Sequence, residues 1–426
     1  MVTSFTFSFD ALLACLFPLA LFAVVLRTSF ANLRAWSWAA ARDFLSLRSL
    51  KFSAHGPFSQ EKAYQSYTQY SRLAGLEVAT RQAMYSSLGR AHKRLGNKIG
   101  YPAKLEQLRY VTDINATITE GIAGLAAKEF GLSETYAGHA DLSRVRESLK
   151  HFIRDWSEEG AQEREKIFRP ILDVLAAVNP LERKDKRILV PGSGLGRLAW
   201  EISQLGYDTT ANEYSFFMNF AFRFLLSAET TPSINEHTLR PYAHWFSHQR
   251  SNDSLFRAIH FPDAVPRLTL NFRLAESDFL TLSPPPPRTQ PDTSPPDFAW
   301  SKSDAGDVHD QKGYDYIVTL FFLDTSLNVF ETMEHIHTLL RPGGTWINMG
   351  PLLWTSGGHA KLELSLDEVI CAAEEIGFVF QNGSGDGDGK GGLGARCTVE
   401  CEYTGDLKAM MRWIYKAEFW VATKTK

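Results

Sequence analysis

The chain predicts an α/β fold, a Rossmann-like sheet preceded by an N-terminal helical region, on three observations. First, an apolar strand at residues 188–190 runs into Pro191-Gly192-Ser193-Gly194-Leu195-Gly196. A helix follows with Leu198, Ala199, Ile202 and Leu205 at helical spacing; Gly206 ends it, and a short strand leads to Glu213. Strand, glycine turn, helix, strand and acid form the front half of a nucleotide-binding α/β unit. Second, strands and helices alternate after residue 187, which predicts a mainly parallel sheet with helices on both faces. Third, residues 58–180 read mainly as helix.

The chain of 426 residues has room for more than one domain. Three parts are expected: an apolar extension over residues 1–40, a helical cap over 58–180, and an α/β domain over 181–426 with insertions near 283–312 and 382–394. A formal net charge of -3 carries no general signature of nucleic-acid binding. Cys15, Cys371, Cys397 and Cys401 make no disulfide framework, and no ligand set for a metal surrounds them. Residues 11–26, ALLACLFPLALFAVVL, are uninterrupted apolar, followed by Arg27 and Arg34. The run is shorter than the roughly 20 residues of a bilayer helix and has no positive charge before it. It reads as a membrane anchor with the rest of the chain in the cytosol, as a buried or interfacial helix, or as an extension outside the fold.

In the helical part, Tyr64, Tyr67 and Tyr70 lead an amphipathic packing face continued by Leu73, Leu76 and Ala79. Residues 96–102 break the pattern. Ile114, Ile118, Ile122 and Leu125 mark one further helix; Val145, Leu149, Phe152 and Trp156 mark another. Pro170 fits the first turn of a helix through Leu175. After Glu213 a helical run reaches Leu226. Residues 230–266, with His237, His244, His248 and His260, read as an irregular surface loop without metal-ligand spacing. Residues 268–275 alternate as a strand and end at Glu276-Ser277-Asp278. Residues 314–320 resume as a buried strand leading to Phe321-Phe322-Leu323-Asp324-Thr325. A helix to Leu340, a turn at 341–344, a strand at 345–349, a helix capped by Ser365, a strand at 378–380 and a last strand at 411–422 complete the chain.

Ligands of such sheets bind outside the carboxyl ends of the strands, which brings Gly192, Gly194, Gly196, Glu213, Asp278 and Asp324 to one rim. Glu213 can accept both ribose hydroxyls of a nucleoside. Asp278 can accept an adenine amino group, or simply cap a turn. Asp324 can face a substrate, or cap the next helix. The glycines are spaced G-x-G-x-G and Arg197 follows, so the last glycine of the dinucleotide fingerprint is missing. That favours S-adenosyl-L-methionine over NAD, since it has no pyrophosphate to hold.

Five ordered motifs carry a more specific likeness: Arg154-Asp155-Trp156-Ser157; the stretch from Ile188 through Gly196-Arg197-Leu198-Ala199-Trp200-Glu201; Asn212-Glu213-Tyr214-Ser215-Phe216-Phe217-Met218; Phe321-Phe322-Leu323-Asp324-Thr325; and Gly343-Gly344-Thr345-Trp346-Ile347-Asn348-Met349-Gly350-Pro351-Leu352-Leu353. Together they resemble the carnosine N-methyltransferase family. The likeness runs from about residue 58 to the C-terminus and leaves out the apolar start and the insertion near 283–312.

The resemblance implies a class I methyltransferase fold with an N-terminal helical region, and methyl transfer from S-adenosylmethionine to the imidazole of carnosine, giving anserine. It implies that His151, where the family has glutamine, and Arg154 reach the cofactor from the helical region. Gly192, Gly194, Gly196, Arg197, Glu213 and Asp278 complete the cofactor site. Asp324 would hydrogen-bond the substrate imidazole and serve catalysis. His359, displaced by Trp354, Thr355 and Gly357-Gly358, would line the substrate pocket with Trp413 and Tyr415; Trp413 stands where the family has tyrosine. The expected partner is a small imidazole compound, with no nucleic acid and no metal; a homodimer and a cytoplasmic or nuclear location fit the same picture. A histidine-directed methyltransferase acting on a protein or another imidazole compound is the alternative within the chemistry. A non-catalytic cofactor-binding interaction protein is the alternative outside it.

Overall fold

The computed structural model describes residues 56–133, 139–287, 312–354, 360–381 and 394–425. The helical part contains α1 (Gln60–Thr68), α2 (Tyr70–Ser86), α3 (Arg90–Lys98), α4 (Tyr101–Phe130), α5 (Leu142–Trp156), α6 (Ala161–Ala176) and the single turn α7 (Pro180–Arg183). Ser59 and Asp141 cap α1 and α5 by accepting backbone N–H groups. Helix α4 runs between Gly100 and Gly131, both left-handed, with Pro102 in its first turn. Tyr64, Tyr67 and Tyr70 are buried, and the Tyr67 hydroxyl donates to Phe217 O at 2.6 Å. Pro170 lies inside α6 rather than at its start. Burial of Ile167, Phe168, Ile171 and Leu175 along one face outweighs the cost of about 3 kcal/mol for an interior proline.

The α/β part contains β1 (Arg187–Pro191), α8 (Arg197–Gln204), β2 (Asp208–Asn212), α9 (Phe216–Leu226), β3 (His237–Leu239), α10 (Asn252–Leu255), β4 (Ile259–Phe261), β5 (Phe272–Ala275), β6 (Tyr314–Leu320), α11 (Val329–Leu339), β7 (Leu340–Gly350), α12 (Leu366–Ile376), β8 (Phe378–Phe380), β9 (Cys397–Cys401) and β10 (Tyr415–Lys424). The large sheet runs β5-β2-β1-β6-β7-β10-β8, with β9 also on β10. From β5 to β7 all pairs are parallel; β10 enters antiparallel between β7 and β8. This is the Rossmann-like sheet of the class I type, closed by one reversed strand.

Side-chain alternation gives the sheet two cores. Ile188 and Val190 join a core with the helical layer and the phenylalanine-rich α9. Leu189 joins a second core with α11 and α12, together with Trp346 and Trp420. Helix α9 buries Phe216, Phe217, Phe220, Phe222 and Phe224 between the helical layer and the sheet, so its all-round apolar character is that of an enclosed helix.

Three further expectations change. The 230–266 stretch holds the β3–β4 hairpin, ordered because Leu239, Ile259 and Phe261 are buried and Phe261 packs on Phe152 at 4.6 Å. The turn at 341–344 lies inside β7 rather than before it: Leu340 pairs with Tyr314 and Thr345 with Tyr316, so these residues bulge from the ladder, with Gly343 at φ 71°. The last strand begins at Tyr415, not at 411. The apolar run at 11–26, His359, and most of both insertions lie outside the described residues.

Candidate active site

The chain order places the switch between β1 and β6: β1, β2 and β5 proceed one way across the sheet, β6 and β7 the other. A crevice at their carboxyl ends is the expected ligand site. The loop leaving β1 carries three glycines with positive φ, 62° at Gly192, 56° at Gly194 and 72° at Gly196. A Cβ on Gly192 would stand 2.5 Å from the Phe322 ring, and one on Gly196 2.3 Å from the Phe222 ring. A Cβ on Gly194 would meet only His151 Nδ1, at 4.0 Å. Two glycines therefore permit packing, and the third leaves room for a ligand.

Glu213, just past β2, holds this loop. Its Oε2 accepts from Gly194 N–H at 2.9 Å and its Oε1 from Ser215 N–H at 2.7 Å. Burial raises its pKa against the pull of the Ser215, Gly194 and Tyr214 amides. Asn219 of α9 donates to the Glu213 carbonyl at 3.1 Å. Asn212 Nδ2 joins the ends of β2 and β5, donating to Ala275 O at 2.9 Å and Ser277 O at 2.8 Å. Asp278 follows and caps the 3-10 turn Phe279–Thr281, its Oδ1 accepting from Leu280 N–H at 3.0 Å. Its charge adds to burial in raising the Tyr214 phenol, so the acids after β2 and β5 border one rim.

Helix α5 supplies a second wall. Trp156 Nε1 donates to Leu195 O at 2.8 Å and pins the helix end to the glycine loop. Arg154 gives Nε and Nη2 to the two Asp155 oxygens at 2.6 and 2.9 Å. Burial disfavours charge on both, yet each is held ionised by the other: Arg154 is shifted up and Asp155 down. Arg154 Nη1 is buried with no hydrogen-bond partner, and its guanidinium lies 4.4 Å from the centre of the Tyr403 ring. His151, one turn earlier, keeps Nδ1 3.5 Å from Asp155 Oδ2, without the geometry of a hydrogen bond. An unmet cationic donor in such a place is costly; a ligand carboxylate would satisfy it.

Arg197 faces the other way. Its Nε donates to Glu201 at 2.7 Å, and its Nη1 to Asp155 O at 3.1 Å and Asp263 Oδ1 at 2.5 Å. Arg164 takes Asp263 Oδ2 at 2.5 Å. Arg197 thus ties α8 to the end of α5, and the structure does not bring its guanidinium to the open side of Gly194.

Past β6 the chain turns sharply. Phe321 has φ 50°, and its N–H donates to Met349 O at 2.8 Å. The turn sets Asp324 in the 3-10 segment Leu323–Thr325 with 5% exposure, and its Oδ2 accepts from Leu353 N–H at 3.0 Å. Burial raises its pKa to about 6, against the Leu353 amide. The Phe321 ring stacks on Tyr403 at 4.3 Å and meets Tyr415 edge-on at 5.7 Å. Burial, then the Asp324 charge, raises the Tyr415 phenol. Trp413 lies ahead of β10 and is 73% exposed, because the strand starts only at Tyr415.

Tyr403 is a site residue that the motifs do not mark. It joins both walls, with His151 edge-on at 5.8 Å, Arg154 over its face and Phe321 stacked on it. Glu163 of α6 fixes the turn after it, accepting from Thr404 N–H at 2.7 Å and Gly405 N–H at 3.3 Å. The signal for it is the alternating 397–403 stretch before Thr-Gly-Asp, a hairpin arm pairing with β10. Among the described residues no group of His, Cys, Asp and Glu could hold a metal ion.

Residues 133–426 match the family model described as carnosine N-methyltransferase. The chain belongs to the carnosine N-methyltransferase family. A mouse carnosine N-methyltransferase is 32% identical, over 76% of this chain and 76% of its own. A fission yeast (Schizosaccharomyces pombe) carnosine N-methyltransferase is 29% identical, over 76% of this chain and 83% of its own. The rat carnosine N-methyltransferase is 31% identical with 76% of each chain covered. A solved magnesium protoporphyrin IX methyltransferase from Synechocystis with bound SAH aligns over 66% of this chain and 95% of its own, at 10% identity and a TM-score of 0.33; the fold assignment rests on strand order. As a member of the carnosine N-methyltransferase family, the chain is an S-adenosylmethionine-dependent methyltransferase of the class I fold.

Proposed function

We propose that the chain methylates the imidazole of carnosine, giving anserine, at the pocket of Asp324, Phe321, Tyr403 and Tyr415. One observation carries the reading: a buried carboxylate with a pKa of about 6 beside an aromatic wall, next to a glycine loop with room at Gly194. Membership in a family whose relatives are carnosine N-methyltransferases supports it.

S-adenosylmethionine supplies the methyl group. Gly194 and Glu213 would hold it, Glu213 offering its remaining lone pairs to the ribose hydroxyls. Asp278 would face the adenine, and Arg154 Nη1, with His151 beside it, the methionine carboxylate. Gly192 and Gly196 keep the loop packed, and Arg197 braces it from behind. Ionised Asp324 accepts the N–H of one imidazole nitrogen. This fixes the tautomer, aims the other lone pair outward, and stabilises the imidazolium as it forms. Tyr403, held between Arg154 and Phe321, excludes water with Tyr415, and Tyr415 presents its ring to that cation. His359 is a further pocket residue of this proposal, and Trp413, 73% exposed ahead of β10, is left out of it.

The test is methyl incorporation from labelled S-adenosylmethionine into carnosine, histidine, related dipeptides and cell extract. Carnosine should be the best small acceptor; labelling of a protein band in place of carnosine would favour the histidine-directed reading. Cytosolic or nuclear residence and a homodimer complete the proposal. Among the described residues no helix is long and apolar enough to cross a membrane; alkaline carbonate extraction tests whether the apolar run at 11–26 spans one.

A further inference from the structure

Between Val78 and Leu105 the sequence has six Lys or Arg and no Asp or Glu, in a chain whose net charge is -3. The stretch covers the end of α2, all of α3 and the start of α4. Its cations divide into two groups. Arg81 and Lys104 stack on Phe246 at 4.6 and 4.2 Å, and Lys93 donates to Ser86 O at 3.0 Å; these hold the corner together. Arg90, Arg94 and Lys98 recur every fourth residue on α3, are exposed, and form no ion pair among the described residues. They make one charged stripe.

Beside it lies an uncovered, mainly apolar surface. Leu88 ahead of α3, His92 and Leu95 on it and Ile99 at its C-terminal end line a cavity of about 390 Å³ with Met84 of α2. Leu95 is 59% exposed, Ile99 71% and Met84 66%. The face is firmly built: Tyr85 packs against Gly96, where a Cβ would come within 2.4 Å of its hydroxyl. That hydroxyl shares its proton between Asn97 Oδ1 at 2.9 Å and Lys93 O at 3.0 Å. A basic stripe beside an open apolar stripe on a surface helix is the pattern of an interfacial amphipathic helix.

We infer that the α2–α3 corner docks on the surface of an anionic phospholipid membrane, with Leu95, Ile99 and Met84 entering the headgroup boundary and Arg90, Arg94 and Lys98 meeting lipid phosphates. Charge decides between occupants. A second copy joined by a twofold axis would set this basic stripe against itself, whereas an anionic leaflet neutralises it. An anionic membrane also accounts for the exposed aliphatic side chains, which a purely electrostatic polyanion would leave in water.

The full chain is tested by co-sedimentation with vesicles of phosphatidylcholine alone and of phosphatidylcholine containing about one-third phosphatidylserine. Wild type should bind the anionic vesicles, and binding should weaken as salt rises. The variant Arg90→Glu/Arg94→Glu/Lys98→Glu should bind them about 100-fold more weakly, at roughly a kcal/mol per cation. Leu95→Asn/Ile99→Asn, which keeps the charge, should also lose binding. Both should keep wild-type methyl transfer, which reports intact folding. Equal binding to neutral vesicles, or undiminished binding of the charge-reversed variant, would overturn the inference in favour of residues 11–26 as the membrane contact. A wild-type dimer that Leu95→Asn/Ile99→Asn turns into monomers, with no vesicle binding by wild type, would overturn it in favour of self-association.

Discussion

Gly194 N–H donates to Glu213 Oε2 across 2.9 Å, so the acid expected to hold the ribose also shapes the loop beneath it. Glu213→Gln should weaken S-adenosylmethionine binding about 10- to 100-fold, the scale of one or two charge-assisted hydrogen bonds. Calorimetry with S-adenosylmethionine measures it. An affinity within twofold of wild type would assign Glu213 to loop support alone.

The three glycines should separate by property. Gly192→Ala and Gly196→Ala must force a Cβ into the Phe322 and Phe222 rings at positive φ, and should cost roughly 2–4 kcal/mol of stability. Gly194→Ala has space for the methyl and should cost about 1 kcal/mol, yet lose more cofactor affinity than its smaller destabilisation implies. Denaturant midpoints and calorimetry on the same samples give both numbers.

Asp324→Asn should lower kcat about 10²–10³-fold while leaving cofactor affinity nearly intact. It should also stabilise the fold near neutrality. The folded pKa is about 6 against 3.8 for the free side chain, so the native state binds more protons between these values and loses stability as pH rises through that window. Removing the charge recovers an amount of roughly 2–3 kcal/mol above pH 6 and nothing below pH 4. Melting temperatures of both proteins across that range check the sign.

The acid limb of kcat/KM should have a slope near two. Asp324 must be ionised, with a pKa of about 6, and the free imidazole must be neutral, with a pKa of about 6.5. In Asp324→Asn the slope should fall to one, from the substrate alone. A wild-type slope of one would remove Asp324 as the acceptor of the imidazole proton.

Glu163 stands outside the pocket but clasps the turn after Tyr403. Glu163→Ala should raise KM for carnosine about tenfold through a displaced Tyr403 wall. Tyr403→Phe keeps the ring contacts with His151, Arg154 and Phe321 and should fall within about threefold of wild type. Steady-state kinetics with carnosine distinguish the two.

By itself the sequence determined the αβ alternation, the glycine loop, and the acids after three strands. These are local matters of side-chain period, glycine freedom and strand ends, and the sheet topology then carries Glu213, Asp278 and Asp324 to one rim. Tertiary structure decided what neighbours do to those groups. The resemblance implies Arg197 in the cofactor site, but its guanidinium is engaged by Glu201 and by Asp263, which follows β4. Tyr403 and Trp413 are both aromatic residues near the last strand; register on β10 and the Glu163 clasp bring the first between Arg154 and Phe321 and leave the second in solvent. Asp324 becomes a carboxylate of pKa about 6 only because the turn at Phe321 and the segment after β7 close over it. Burial and long-range pairing are properties of the packed chain, and no local spacing encodes them.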